Sequence, residues 1–166
     1  MEIKNETRLT YEILTDVTLS TKKFIIVSRI IDFLTVLFFI ALGNSGFLDW
    51  WVVLLLGVVV LGYFRVISPK KLKKVFKAYI GEGEARYSFL FKDDELENHE
   101  SNEVTPEAHA NYPYTSFTGL EFVKNYVILY ISKYQLLMID LNGFDSEEDK
   151  ETVLAMLKTK VKKNSV

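Results

Sequence analysis

Residues Phe24 to Leu42 and Phe47 to Ile67 form two long apolar runs, separated only by Gly43-Asn44-Ser45-Gly46. Each is close to the ~20 residues that an α-helix needs to cross a hydrocarbon core of about 30 Å. So short a turn cannot recross a bilayer. We therefore expect an antiparallel transmembrane hairpin over 24–67, with spans at 24–42 and 47–67. Everything before Phe24 and after Ile67 then lies on one side of the membrane.

Charge sets the orientation. Residues 1–69 carry six bases and six acids, residues 70–80 carry five lysines and no acid, and residues 81–166 carry nine bases and sixteen acids, a net of −7. Lys22-Lys23 precede the first run, the lysines at 70–77 follow the second, and the Gly43–Gly46 turn has no base. The positive-inside rule then places both termini in the cytoplasm. Trp50, Trp51 and Phe47 at the outer rim and Tyr63 and Phe64 at the inner rim suit interfacial aromatic belts. The polar stretch before Phe24 and the second run straight after the turn argue against a cleaved signal peptide. An acidic distal domain is a poor nucleic-acid binder, because phosphate neutralisation supplies most of that affinity. Cysteine is absent, which excludes disulfides, thiolate nucleophiles and cysteine metal sites.

Outside the hairpin the pattern is strand-rich. Residues 7–14 roughly alternate apolar and polar, which reads as a strand. A lone strand is unstable, so it should pair with the domain beyond the hairpin. Ser68-Pro69 should end the second span. Residues 70–80 then read as a separate basic amphipathic helix, with Leu72, Val75, Phe76 and Tyr79 on one stripe. Further strands are expected at 85–91, 95–102, 118–123, 126–132 and 135–141, with turns at Asp93-Asp94, Lys124-Asn125 and Lys133-Tyr134. Residues 103–113 read as a loop. Ser146-Glu147-Glu148-Asp149 resembles a capping box and opens a helix over 146–162. Acids crowd its start, and Lys158, Lys160, Lys162 and Lys163 its end, as the macrodipole favours. Its apolar face is Val153, Leu154, Met156, Leu157 and Val161.

Several stretches carry a family resemblance. They are Leu9-Thr10-Tyr11-Glu12-Ile13-Leu14 before the hairpin, Tyr87-Ser88-Phe89-Leu90-Phe91-Lys92-Asp93-Asp94 after it, and Tyr114-Thr115-Ser116-Phe117-Thr118-Gly119-Leu120-Glu121. Tyr126-Val127-Ile128-Leu129-Tyr130-Ile131 and Gln135-Leu136-Leu137-Met138-Ile139 continue the match. The pattern resembles the YcxB-like family of bacterial membrane proteins. That resemblance implies an N-terminal strand, a two-span hairpin and a cytosolic domain of pleckstrin-homology (PH)-like form. It implies no activity, and no functional residue is carried over from it. Where the family often has Pro-Lys or Lys-Lys after the last strand, this chain has Asp140-Leu141.

Few residues stand out as sites. Arg29 and Asp32 lie inside the first run at a spacing that lets them face each other. Arg29 can snorkel to the interface, but Asp32 is too short. An intramembrane carboxylate invites an ion- or proton-handling hypothesis. The structural alternative is an Arg29–Asp32 pair, with Arg65 nearby, buried against the partner helix or an oligomer. Lys70, Lys71, Lys73, Lys74 and Lys77 are candidate contacts for anionic lipid head groups, or simply an orientation signal. His99 and His109 sit among Glu97, Glu100, Glu103 and Glu107. A metal site needs three or four converging ligands, so a solvated acidic surface is favoured. Lys92-Asp93-Asp94-Glu95 repels phosphate and disfavours a phosphoinositide site. Gly57 and Gly62 lack the Gly-x-x-x-Gly spacing.

The expected fold is α+β: a two-helix transmembrane hairpin inserted near the start of a PH-like antiparallel β domain, closed by a C-terminal helix. The segments are 1–23 with one strand, 24–67 as hairpin, 68–83 as basic helix or linker, and 84–163 as the YcxB-like/PH-like cytosolic domain. We expect a multi-pass protein of the bacterial cytoplasmic membrane with no enzymatic activity and no cofactor or metal. The partners expected are the bilayer, a protein partner or a second copy, and no nucleic acid. The leading function is a membrane-tethered binding or regulatory module. The alternative is a small oligomeric transport or envelope-protection protein, including peptide immunity, acting through the hairpin and Asp32.

Overall fold

A computed structural model describes residues 2–46, 49–132 and 135–161. Phe47, the Lys133-Tyr134 turn, Lys162 and Lys163 lie outside the described residues. The element order is β1 (Ile3–Thr10), α1 (Tyr11–Leu19), α2 (Lys22–Asn44), α3 (Trp50–Ile80), β2 (Glu84–Phe91), β3 (Glu95–Ser101) and β4 (Ala108–Pro113). A 3-10 turn (Tyr114–Ser116), β5 (Gly119–Val123), β6 (Tyr126–Tyr130), β7 (Leu136–Asp140) and α4 (Glu147–Lys160) complete it. The fold is α+β, with antiparallel sheets and a C-terminal helix.

β1 pairs antiparallel with β2 along its whole length, from Ile3 opposite Phe91 to Thr10 opposite Glu84. The two long helices are thus inserted between neighbouring strands. The expected strand starts and stops earlier than residues 7–14, because Thr10 caps a helix. Its side chain accepts from the Ile13 amide at 3.3 Å, and Leu14 and Val17 turn to one buried face. Residues 11–14 are therefore helix.

The strands form two sheets, ordered β1-β2-β3-β4 and β5-β6-β7. The chain changes sheets at the 3-10 turn after Pro113, where the Tyr114 hydroxyl donates to the Lys92 carbonyl at 3.0 Å. β4 lies in the stretch expected to be loop. Ala108, Ala110 and Asn111 have weak strand propensity, and only pairing with β3 makes them a strand. The outer edge of β1 is closed by the loop after β7, with the Glu6 amide donating to the Gly143 carbonyl at 2.9 Å. β4 ends its sheet.

The core has two parts. One lies between the sheets and under α4: Phe89, Phe91, Val127, Leu129, Leu137, Ile139, Val153 and Leu157 belong to it. The other joins α1 and the foot of α3 to the sheets through Leu9, Leu14, Val17, Ile80, Ile128 and Met138. β6 and β7 send alternate residues to each. A strand buried on both faces reads as an unbroken apolar run, which is why residues 126–131 look so strongly apolar. α4 starts as expected, with the Ser146 hydroxyl accepting from the Asp149 amide at 3.1 Å. Its face buries Val153 and Leu157.

A polar link crosses from β1 to β7. The Thr7 hydroxyl donates to Asn5 Oδ1 at 2.7 Å. Asn5 Nδ2 donates to the Asp140 carbonyl at 2.8 Å, and the Asp140 amide donates to Thr7 Oγ1 at 2.8 Å. Asn5 and Thr7 are 1 % and 0 % exposed, so every lost bond strands a buried group.

α3 does not break at Ser68-Pro69. It is one helix through Pro69 to Ile80, so the expected separate basic helix is its continuation. Proline removes one hydrogen bond to the carbonyl four residues back. Of the expected stripe only Phe76 joins Ile80 in packing against the second core, which holds the helix on course, while Val75 and Tyr79 stay exposed.

Thr7→Val should lower unfolding stability by about 2 kcal/mol, the scale for stranding a buried donor or acceptor. Thr152→Val on the exposed side of α4 should change it by under about 0.5 kcal/mol. Denaturant titration of the two variants checks both. Gly143→Ala should cost more than Thr7→Val, because a Cβ there would collide with the Glu6 carbonyl oxygen.

Candidate functional site

α2 and α3 are long and apolar enough to cross a membrane. At 1.5 Å per residue they measure about 35 and 46 Å. Their large apolar side chains face outward: Phe33, Phe38, Trp51, Leu54 and Val58 are all exposed. The chain itself covers almost none of the apolar surface of either helix. A soluble core helix would bury that face. At the tip, Gly43 packs against the Trp50 ring, which would meet an added Cβ at 2.9 Å, and lower down Gly57 faces Phe39.

The hairpin is fastened to the sheets at its foot. The Thr21 hydroxyl caps α2 by accepting from the Phe24 amide at 3.3 Å. The Lys22 amide donates to Glu121 Oε1 of β5 at 2.7 Å, a carboxylate at a helix N-terminus where the dipole favours it. The Tyr130 hydroxyl donates to the other oxygen of Glu121 at 2.7 Å. Lys124 at the β5–β6 turn pairs with Asp16 of α1.

Asp32 does not pair with Arg29. Its carboxylate meets Arg65 of α3 at 3.4 Å. Among the described residues Arg29 makes no ion pair and is exposed. The i, i+3 spacing permitted the local pair, but the antiparallel packing of α2 on α3 supplied a different partner 33 residues away. The acid of α2 is thus paired across the hairpin with a base of α3.

Of the five lysines, Lys77 pairs with Glu82 at 2.5 Å, and Lys73 lies 6.0 Å from the centre of the Tyr11 ring. Lys70, Lys71 and Lys74 are exposed. His99 sits on β3, where a strand is expected, and His109 on β4, in the stretch expected to be loop. They face each other in the strand register, with ring centroids 4.1 Å apart, and His109 Nε2 lies 2.9 Å from Glu107. Among the described residues no group of three or more His, Cys, Asp or Glu is placed to hold a metal ion.

A cavity of about 340 Å³ opens at the foot of the hairpin. α1, the end of α3, β1 to β4 and β7 surround it. Its walls are largely apolar, with Leu14, Phe76, Tyr112 and Leu137 among them; Thr18 and Gln135 contribute polar groups, and so do Asn98, Glu100 and Tyr87 of the first sheet. These three point to one face of the first sheet, where Asn98 lies opposite Phe89 and Ala110, and Glu100 lies opposite Tyr87 and Ala108. The Tyr87 hydroxyl donates to Glu100 Oε1 at 3.1 Å, and Asn102 Nδ2 donates to the same oxygen at 2.9 Å. Burial, reinforced by the Glu100 charge, pushes the Tyr87 phenol well above its usual range. Burial does the same to Tyr114, with Asp93 and Asp94 adding to it. No sequence motif marks this cavity, because its walls come from seven separate elements.

Residues 91–157 match the family model described as YcxB-like protein. The match runs from the end of β2 through most of α4. Two helices able to cross a membrane precede it. No curated protein and no solved structure matches the chain.

Two outcomes follow from this geometry. Asp32→Asn and Arg65→Gln should each lower the thermal stability of the detergent-solubilised chain. The double variant should recover part of the loss, with a coupling on the order of 1 kcal/mol; strict additivity would mean that the pair is incidental. The tyrosines give a pH dependence. Their folded-state values lie above the unfolded value of 10.0, so their contribution is complete below pH 10 and declines as pH rises beyond it. Urea midpoints measured between pH 8 and 11.5 should fall only above about pH 10, and less steeply for Tyr87→Phe.

Proposed function

We propose that this chain is a bacterial integral membrane protein in which α2 and α3 cross the cytoplasmic membrane with both termini in the cytoplasm. The strand-rich part is a PH-like domain that works as a membrane-tethered binding or regulatory module for a protein partner. The observation that carries this reading is the eight-residue pairing of β1 with β2 across the inserted hairpin. It ties both feet of the hairpin into one domain, so a partner bound by that domain is held at the membrane surface.

Other features support it. The outward apolar faces of α2 and α3 require a bilayer or another chain to cover them. The lysines at 70–77 and the base-free tip favour the cytoplasmic placement of the domain. Four strands, then three, then a closing helix is the layout of a PH-like domain. The hairpin's acid is already paired with Arg65, which weakens the reading of Asp32 as an ion-handling group. The terminal position of β4 leaves an edge on which a partner strand could add.

The absence of cysteine makes topology directly measurable. Ser45→Cys should react with a membrane-impermeant maleimide in intact cells, and Glu148→Cys only after permeabilisation. The reverse pattern would sink the cytoplasmic placement. For function, the hairpin is replaced by an unrelated two-span anchor in the native host. Restoration of whatever deletion loses, together with a crosslinked partner captured by both versions, supports the tether. Restoration that needs the native hairpin and Asp32 would place the activity in the bilayer instead, as a transport or envelope-protection protein.

A further inference from the structure

We propose that the cavity at the foot of the hairpin takes the tail of a single-chain anionic amphiphile of the fatty-acid class, whose head group rests on the free lysines of α3. Folding leaves two unlike features uncovered side by side. The first is apolar. The cavity holds about 340 Å³, within the range of small-molecule sites, and Leu14, Phe76, Leu137 and Met138 line it. Val75 and Tyr79 of α3 and Leu136 of β7 also line it, yet they stay exposed, so its open side is apolar too. An aliphatic tail that displaces water from this surface gains free energy in proportion to the area it covers. The second feature is basic. Residues 70–80 carry five lysines and no acid. Lys77 is taken by Glu82, and Lys73 lies against the Tyr11 ring. Lys70, Lys71 and Lys74 are exposed and, among the described residues, make no ion pair. Lys71 stands one helical turn before Val75 on the same side of α3, and Lys74 adjoins Val75 in the chain.

Charge identifies the head and sets its direction. Unpaired ammonium groups beside the apolar opening attract an anion and repel a cation. Glu100 lines the cavity and accepts from the Tyr87 hydroxyl and the Asn102 amide. An anionic head is therefore turned away from Glu100 and toward the lysines, while an uncharged tail meets no such penalty. Position favours a single chain. Val75 lies eight residues past Ile67, about 12 Å along the helix. With the span ending near Ile67, the cavity lies on the aqueous side of the hydrocarbon edge. A phospholipid would have to splay its two chains in opposite directions to reach it, whereas a single-chain amphiphile leaves the bilayer whole. That position rests on the membrane placement proposed above. Occupancy of the cavity needs no protein partner, so the two readings succeed or fail separately.

The test uses the full chain in nanodiscs of zwitterionic lipid. The probe is decanoic acid carrying a photoreactive diazirine at its tail end, with the matching alcohol and amine as controls. After irradiation and digestion, mass spectrometry should find saturable label on residues 136–138 or on Leu9 and Leu14, displaced by unlabelled decanoate. Label confined to the outward faces of α2 and α3 would place the tail in the bilayer and overturn the proposal. The alcohol should label the same residues on the order of fivefold more weakly, as expected from losing attraction to a few solvated charges, and the amine more weakly still. Replacing Lys70, Lys71 and Lys74 together by Gln should bring the carboxylate down to the level of the alcohol and leave the alcohol unchanged; Lys22, Lys23, Lys73 and Lys77 remain to orient the hairpin. Leu136→Trp, at the exposed rim, should remove the cavity label for all three probes. Both variants alter exposed side chains, and circular dichroism checks that they fold. Equal labelling by carboxylate and amine, or undiminished carboxylate labelling in either folded variant, would also overturn the proposal.

Discussion

The β1–β2 ladder is the contact on which the rest of the structure depends. Its two strands are separated in sequence by α1 and the whole hairpin, yet they pair residue for residue over eight positions. Loop-closure entropy rises only logarithmically with length, and here the intervening chain is itself helical, so the ends are brought together by two rods of nearly opposite direction. The buried Asn5–Thr7–Asp140 link then joins this ladder to the second sheet. Two sheets, one hairpin and one closing helix are thereby held through the first ten residues.

The coupling between hairpin and sheets is polar as well as apolar. Glu121 accepts from the Lys22 amide with one oxygen and from the Tyr130 hydroxyl with the other. Phe76 and Ile80 bring the foot of α3 into the same core that holds α1. α3 is therefore continuous from the tip of the hairpin to the edge of the cavity. A tilt of the helix pair would be felt at the cavity wall, because the same helix supplies both. Pro69 lies along that path without interrupting it.

Much of the fold was legible in the sequence wherever one local signal dominated. The two apolar runs became α2 and α3. Ser146 and Asp149 marked the start of α4, and the apolar run at 126–130 marked β6. The misses have a common cause. α1 hid in an apparent alternation until the Thr10 cap is seen closing on Ile13. β4 is made of residues with little strand preference and exists through its neighbour β3. A separate helix was expected after Pro69, but packing of Phe76 and Ile80 overrides the local signal. Arg29 looked like the partner of Asp32 because sequence spacing shows only neighbours on one helix; Arg65 came from the other. The cavity is a further step removed, since Asn98, Glu100, Phe76 and Leu137 have no sequence relation to one another.

The sequence by itself determined length, polarity and charge. These made the two long apolar helices and called for an antiparallel α+β fold around them. Such properties are sums over neighbouring residues, so they survive without knowledge of the fold. The tertiary structure alone decided which strands neighbour which, that the strands split into two sheets, that Asp32 answers to Arg65, and that a cavity opens where seven separate elements meet. Those outcomes depend on residues brought together from distant parts of the chain, where packing and buried hydrogen bonds set the arrangement and local propensity has no vote.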